Sequence, residues 1–225
     1  MTLLDAREGY RLWAPSYSEE TAICSLEQDL VADVTPPLAG LRLLDAGCGT
    51  GQRLRDSGAA SAVGVDLSPE MLEAGLGRGV PDPTIKMLVG DIRHLPLPDQ
   101  AFDVVWCRLV LGYLPQIHLA YAEMKRVADA GAIIIVTDFH PAAIAAGHRR
   151  TFRHGTNVHE LENYVHEAAA HQEAALDAGL ELIDVREAQI GPAVEGMFVK
   201  ADRHDLYRQN VGLPVIMGMV FRRGG

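Results

Sequence analysis

Basic residues are scarce in this 225-residue chain: 20 lysines and arginines stand against 30 acidic residues, giving a formal net charge of -10. No Lys/Arg run exceeds two residues. A protein that meets phosphate backbones needs clustered positive charge, so no nucleic-acid partner is expected. Cysteine is nearly missing as well. Cys24, Cys48 and Cys107 are widely spaced and form neither a C-x-x-C metal pair nor an even disulfide framework. They read as free thiols of a reducing cytosol. No stretch approaches the roughly 20 apolar residues that span a bilayer, and Met1 to Gly9, with Asp5, Arg7 and Glu8, lacks the apolar core of a signal peptide. These absences predict a soluble cytoplasmic protein with no membrane partner and a small-molecule substrate. A homodimer is compatible with the sequence.

What is present suits one globular enzyme. Hydrophobic residues make up 48% and charged residues 22%, and the length supports one sizeable core. Residues 16 to 33 carry an amphipathic helical pattern that Ser16 or Ser18 would cap. Pro36, Pro37 and Gly40 then break the chain. From there strands and helices alternate. Leu41 to Ala46, Ala62 to Asp66, Ile85 to Val89, Phe102 to Cys107 and Ala132 to Thr137 read as strands. Between them, a helix is expected from near Thr50, a second from Ser68-Pro69-Glu70, and a third over Gln116 to Ala128. Further on, Asn157 to Ala178 reads as a long helix, Leu180 to Val185 as a strand, Pro192 to Val211 as an irregular or helical insertion, and Leu213 to Arg222 as an antiparallel last strand. The pattern predicts a doubly wound, Rossmann-like α/β fold with a seven-stranded, mostly parallel sheet. One domain over 1–225 is expected, with a helical cap at 1–40, a cofactor-binding core at 41–140, and a lid with the closing strands at 141–225.

The most informative stretch is Leu43 to Gly51, Leu-Leu-Asp-Ala-Gly-Cys-Gly-Thr-Gly. An apolar run ends in Asp45, and Gly47, Gly49 and Gly51 follow at alternate positions. Glycines there let the backbone turn sharply and approach a ligand closely. The G-x-x-G step of dinucleotide enzymes is missing, and a carboxylate before the glycines would repel a pyrophosphate. It suits a ligand whose nearest group is cationic. Asp66 lies 21 residues after Asp45 at the end of the second strand, where a carboxylate accepts hydrogen bonds from ribose hydroxyls. Asp91 and Asp138 stand at or just past the ends of two further strands.

At these residues the chain resembles the class I S-adenosylmethionine (SAM) dependent methyltransferases, of the small-molecule, UbiE-like type. The resemblance covers roughly residues 10 to 140. It rests on Leu43 to Gly51, on Val63-Gly-Val-Asp66-Leu-Ser-Pro-Glu-Met71-Leu, on Gly90-Asp91-Ile92, and on Leu95-Pro-Leu-Pro-Asp99 with Phe102-Asp-Val-Val. Leu111 to Pro115 with Glu123-Met-Lys-Arg126-Val and Tyr10-Arg-Leu-Trp13-Ala-Pro-Ser-Tyr17 extend it. One departure is Ala128-Asp-Ala-Gly131, where the family has Lys-Pro-Gly-Gly. The resemblance implies SAM as cofactor and a set of roles. Asp45 with the backbone at Gly47 and Gly49 would hold the methionine moiety. Asp66 would bind the ribose, Leu67 and Met71 would flank the adenine, and Asp91 with Ile92 would meet its amino edge. Cys107 or Arg108 would touch the cofactor through the backbone, and Tyr17 would close over its carboxylate.

SAM carries its own activated methyl group, so no metal is required. A base is useful when the acceptor is a hydroxyl or a protonated amine, and histidine suits that duty. His140, after Asp138 and Phe139 at the expected end of the fifth strand, is the candidate base; the plainer reading is a polar residue opening a loop before Pro141. Tyr113 and Tyr207 are candidates for the acceptor pocket. His148, Arg149, Arg150, Arg153 and His154 form a basic stretch whose arginines either pair with an acidic substrate group or stay solvated. His159 and His166 would share a face of the long helix, without an H-E-x-x-H motif to complete a metal site. The leading expectation is methyl transfer to a small-molecule oxygen. Transfer to nitrogen or carbon, SAM binding without methyl transfer, and a nicotinamide oxidoreductase are the alternatives.

Overall fold

The computed structural model describes residues 1–17, 21–77 and 82–224. Strand β1 (Thr2–Leu4) leads into helix α1 (Ala6–Trp13), where Asp5 caps the first turn by accepting the Glu8 N–H at 2.9 Å. Helix α2 (Ala22–Val34) begins later than the residue pattern predicts. Pro15 and Ser16 belong to a separate 3-10 turn, and Thr21 takes the capping role, its hydroxyl accepting from the Cys24 N–H at 3.1 Å. Ser18 lies outside the described residues.

The alternating region follows the expected order. It runs β2 (Arg42–Ala46), α3 (Gln52–Arg55), β3 (Ser61–Asp66), α4 (Pro69–Leu76), β4 (Ile85–Val89), β5 (Phe102–Arg108), α5 (His118–Val127) and β6 (Ala128–Phe139). Then come α6 (Pro141–Ala145), β7 (Thr151–His154), β8 (Asn157–Leu161), α7 (Ala168–Asp177), β9 (Leu180–Gln189), α8 (Pro192–Lys200), α9 (His204–Asn210) and β10 (Pro214–Arg223). The long helix expected over 157–178 is therefore corrected. Its first five residues are β8, which pairs antiparallel with β7 and parallel with β1 in a separate three-stranded sheet. Gly155, in the left-handed region at φ 59°, makes the tight turn between β7 and β8.

The main sheet has seven strands in the order β4-β3-β2-β5-β6-β10-β9. All neighbours are parallel except β10, which runs antiparallel to both β6 and β9. The chain steps outward from β2 through β3 to β4 and then returns to β5 on the other side of β2. That reversal opens a crevice at the carboxyl ends of β2 and β5, where ligands bind in open α/β sheets. The central strands are buried on both faces, which explains their unbroken apolar runs. Leu44, Val105, Ile134 and Met219 pack with α5 and α7 on one face. Leu43, Val104, Ile135 and Val220 pack with α2, α8 and α9 on the other.

Candidate active site

The glycine turn leaves β2 and folds back onto β3. The Gly47 and Cys48 N–H groups both donate to the Val65 carbonyl, at 2.7 and 3.0 Å. Gly47 adopts φ 87°, and a Cβ there would run into Cγ2 of Val110. Gly49 and Gly51 are also left-handed, at φ 58° and 67°. Gly51 ends the turn as the residue before α3, so the helix starts two residues after Thr50. Helix α4 approaches so closely that a Cβ at Gly75 would collide with the Thr50 carbonyl.

Asp66, at the end of β3, is fixed from behind by backbone donors. Its Oδ2 accepts from Gly49 at 2.7 Å and its Oδ1 from Ser68 at 2.9 Å. Burial raises its pKa against the pull of those hydrogen bonds. Ser68 caps α4, its hydroxyl accepting the Met71 N–H at 3.2 Å, and the cap directs Met71 under the turn. Asp91 is gripped by Arg93, whose Nε and Nη2 lie 3.0 and 2.6 Å from Oδ2. The Arg93 hydrogen bonds hold the Asp91 carboxyl below the ordinary range.

These groups line one cavity of about 270 Å³. At its β3 end the wall is Gly47, Gly49, Asp66, Leu67 and Met71, followed by Asp91 and Ile92. At the other end α1, the 3-10 turn after it, α2 and the segment before β7 contribute Tyr10, Tyr17, Glu27 and Arg150, with Arg108, Val110 and Tyr113 rising from β5 and the loop after it. Tyr17 packs edge-on against Trp13, ring centroids 5.0 Å apart, and burial pushes its hydroxyl pKa up. Burial does the same to Tyr113.

Nine of the twelve residues expected from the sequence meet in this wall, namely Tyr17, Gly47, Gly49, Asp66, Leu67, Met71, Asp91, Ile92 and Arg108. Three do not line it. Asp45 is fully buried behind the glycine turn. Cys107 points into the core, its thiol pKa raised by burial. His140 stands outside the cavity: its Nδ1 accepts the Ala142 N–H at 3.1 Å, capping α6, and its Nε2 lies 3.3 Å from Oε1 of Glu187. The turn into Pro141 directs the ring to the helix it starts. Tyr113 lines the cavity as expected, whereas Tyr207 is buried among α8 and α9.

The histidines of the second half separate. His159 is on β8, His166 bonds the Leu114 carbonyl at 2.8 Å, and His171 on α7 bonds the Tyr121 hydroxyl at 3.0 Å. Among the described residues no group of three or more metal-ligating side chains converges, and no helix is long and apolar enough to cross a membrane. Residue reasoning missed Glu27 and Tyr10. Glu27 sits on the same helical face as Leu30 and Val31, and a carboxylate there is the one signal that marks a buried polar position.

A family model described as a methyltransferase domain matches residues 44–136. Over 194 residues the chain is 30% identical to the malonyl-[acyl-carrier protein] O-methyltransferase of Dechloromonas aromatica, covering 81% of this chain and 68% of that relative. It is 35% identical over 149 residues to the demethylmenaquinone methyltransferase of a Roseiflexus species, 60% of this chain and 61% of that one. The crystal structure of a SAM-dependent methyltransferase from Mesorhizobium loti shares the fold, with a TM-score of 0.67 at 20% identity over 88% of this chain and 98% of the other.

Proposed function

The chain belongs to the SAM-dependent methyltransferases, and we propose that it methylates an oxygen atom of a small-molecule acceptor by direct in-line displacement. The observation that carries this reading is a continuous cavity that joins the glycine turn and Asp66 to a chamber walled by Tyr10, Tyr17 and Tyr113. The residues present fit the cofactor. The turn has no space for a side chain at Gly47, so the backbone itself is the contact surface. Asp66 is held by two N–H groups and keeps lone pairs for ribose hydroxyls. Leu67, Met71 and Ile92 give the adenine an apolar slot, with Asp91 at its edge. Asp45 sits behind the turn as a buried carboxylate and favours a cationic group in front of it.

When bound, SAM supplies a sulfonium-activated methyl: an acceptor lone pair forms the new bond as the methyl–sulfur bond breaks, and that electron pair stays on sulfur. The chain's task is to align the acceptor and exclude water. The tyrosine hydroxyls at 17 and 113 are pushed up by burial and stay protonated near neutral pH, so they donate hydrogen bonds to an acceptor oxygen. No histidine lines the cavity among the described residues, which favours an acceptor oxygen that is already ionised. The O-methyltransferase among the relatives supports oxygen as the receiving atom.

The test is calorimetry with SAM and NAD, followed by S-adenosylhomocysteine release and product mass spectrometry over a panel of phenols, acids and amines. SAM binding with O-methylated product is expected. NAD preference overturns the cofactor roles; methylated nitrogen or carbon overturns the oxygen assignment; tight SAM binding with no turnover on any acceptor overturns methyl transfer.

A further inference from the structure

Arg150 enters the cavity wall from the residue before β7. Its Nη2 donates to the Tyr10 hydroxyl at 3.0 Å, and that hydroxyl lies 2.9 Å from the hydroxyl of Tyr113. The guanidinium carbon is 5.6 Å from the Trp13 ring centroid and 5.5 Å from that of Phe139. Its Nε is buried without a hydrogen-bond partner. Three neighbouring arginines have acidic partners: Arg108 has Glu27, Arg93 has Asp91 and Arg149 has Glu160. Among the described residues no carboxylate pairs with Arg150.

A guanidinium half-withdrawn from water, with a buried Nε and no counter-charge, carries a desolvation cost that aromatic faces offset only in part. Where such a group stands in the wall of a ligand cavity, the ligand can bring the counter-charge. We propose that Arg150 recognises a carboxylate on the methyl acceptor, which makes the acceptor a carboxylic acid with a flat or apolar body lying against Tyr10, Tyr17 and Tyr113. Guanidinium favours this group because its planar donors match two carboxylate oxygens. SAM has a carboxylate of its own, but a different arginine stands at the cofactor end. Arg53, on α3 directly after the glycine turn, lines the same cavity; its charge acts on Asp66 and Cys48 beside the turn and also reaches Glu27 and Tyr17, whereas the hydrogen bond of Arg150 goes to Tyr10. Arg150 precedes β7 and stands among Tyr10, Trp13 and Phe139. The inference rests on the methyltransferase reading and adds the class of acceptor.

The test uses the full chain saturated with S-adenosylhomocysteine and titrated calorimetrically with benzoate and with benzamide, which differ mainly in charge. Benzoate is expected to bind roughly 10- to 100-fold tighter, the range for a charge-assisted hydrogen bond. R150M should erase that preference and leave S-adenosylhomocysteine affinity intact, and R150K, which keeps the charge without the planar fork, should fall between. Equal binding of the two probes, binding of neither, or a preference that survives R150M overturns the proposal. So does an R150M variant that loses S-adenosylhomocysteine instead, since that assigns the arginine to the cofactor. Failure of the unaltered protein to bind S-adenosylhomocysteine strikes the methyltransferase reading, a separate result.

Discussion

Arg108 and Glu27 meet across 81 residues of chain through two hydrogen bonds of 2.9 and 2.6 Å, and Thr137 adds a third to the same carboxylate at 2.8 Å. Both charged side chains are almost completely buried. The pair pins α2 to the ends of β5 and β6, and so holds one wall of the cavity against the sheet.

Breaking this pair from one side leaves a buried charge alone. R108M should cost about 3 to 5 kcal/mol, whereas E27L with R108M should recover most of the loss. Urea unfolding of the three proteins checks this; a single variant as stable as the double would remove the pair from its structural role. The pH dependence has a definite sign. Burial pushes Glu27 up, but the hydrogen bonds and charge of Arg108 outweigh it, so the folded carboxyl lies below its ordinary value of 4.5. Its stabilisation is present above that value and is lost as pH falls through the lowered one. In E27Q the acid limb of the stability profile should flatten.

Asp66 gives the sharpest test of cofactor contact. D66A should weaken S-adenosylhomocysteine binding roughly 10- to 100-fold, the loss expected for charged hydrogen bonds to ribose. Calorimetry reads it directly. Unchanged affinity would mean that the ribose is held elsewhere.

Gly47 is limited twice, by its φ of 87° and by Val110. G47A should destabilise the fold by roughly 1 to 3 kcal/mol through backbone strain alone and also impair cofactor binding. Adding V110A should restore only the steric part. Full recovery in the double variant would show that the left-handed backbone costs nothing here.

His140 caps α6 and does not line the cavity. H140A should therefore leave turnover within about twofold while lowering stability by about 1 kcal/mol, as a lost helix cap does. A hundredfold fall in turnover at unchanged cofactor affinity would reinstate it as the base.

The main sheet was legible because burial on both faces forces continuous apolar runs, as in Leu43-Leu44 and Ile133 to Val136. The glycine turn and Asp66 were legible because backbone geometry and hydrogen bonding restrict those positions to few residue types. The β7–β8 hairpin was not, because it lies at the surface. Phe152 and Leu161 are its only buried residues, and two apolar side chains set no period. Gly155 was the remaining signal. Arg150 was equally obscure from residues alone. It has arginines at 149 and 153 beside it, and only the packing of Tyr10, Trp13 and Phe139 distinguishes the one that turns inward. That Asp45 and His140 stand outside the cavity wall was not legible, because a strand end brings a residue to the crevice but leaves its side-chain direction to local packing.

The order of strands in the main sheet also constrains how the molecule is assembled. β9 bonds to no strand of that sheet except β10, which follows it in the chain. During synthesis residues 180–189 are therefore made before anything they can pair with in the sheet. The same holds for the outer edge of β6, whose partner residues are 216–222. Until β10 arrives, an apolar strand edge stays open, and in that interval the growing chain is exposed to misassociation with other chains.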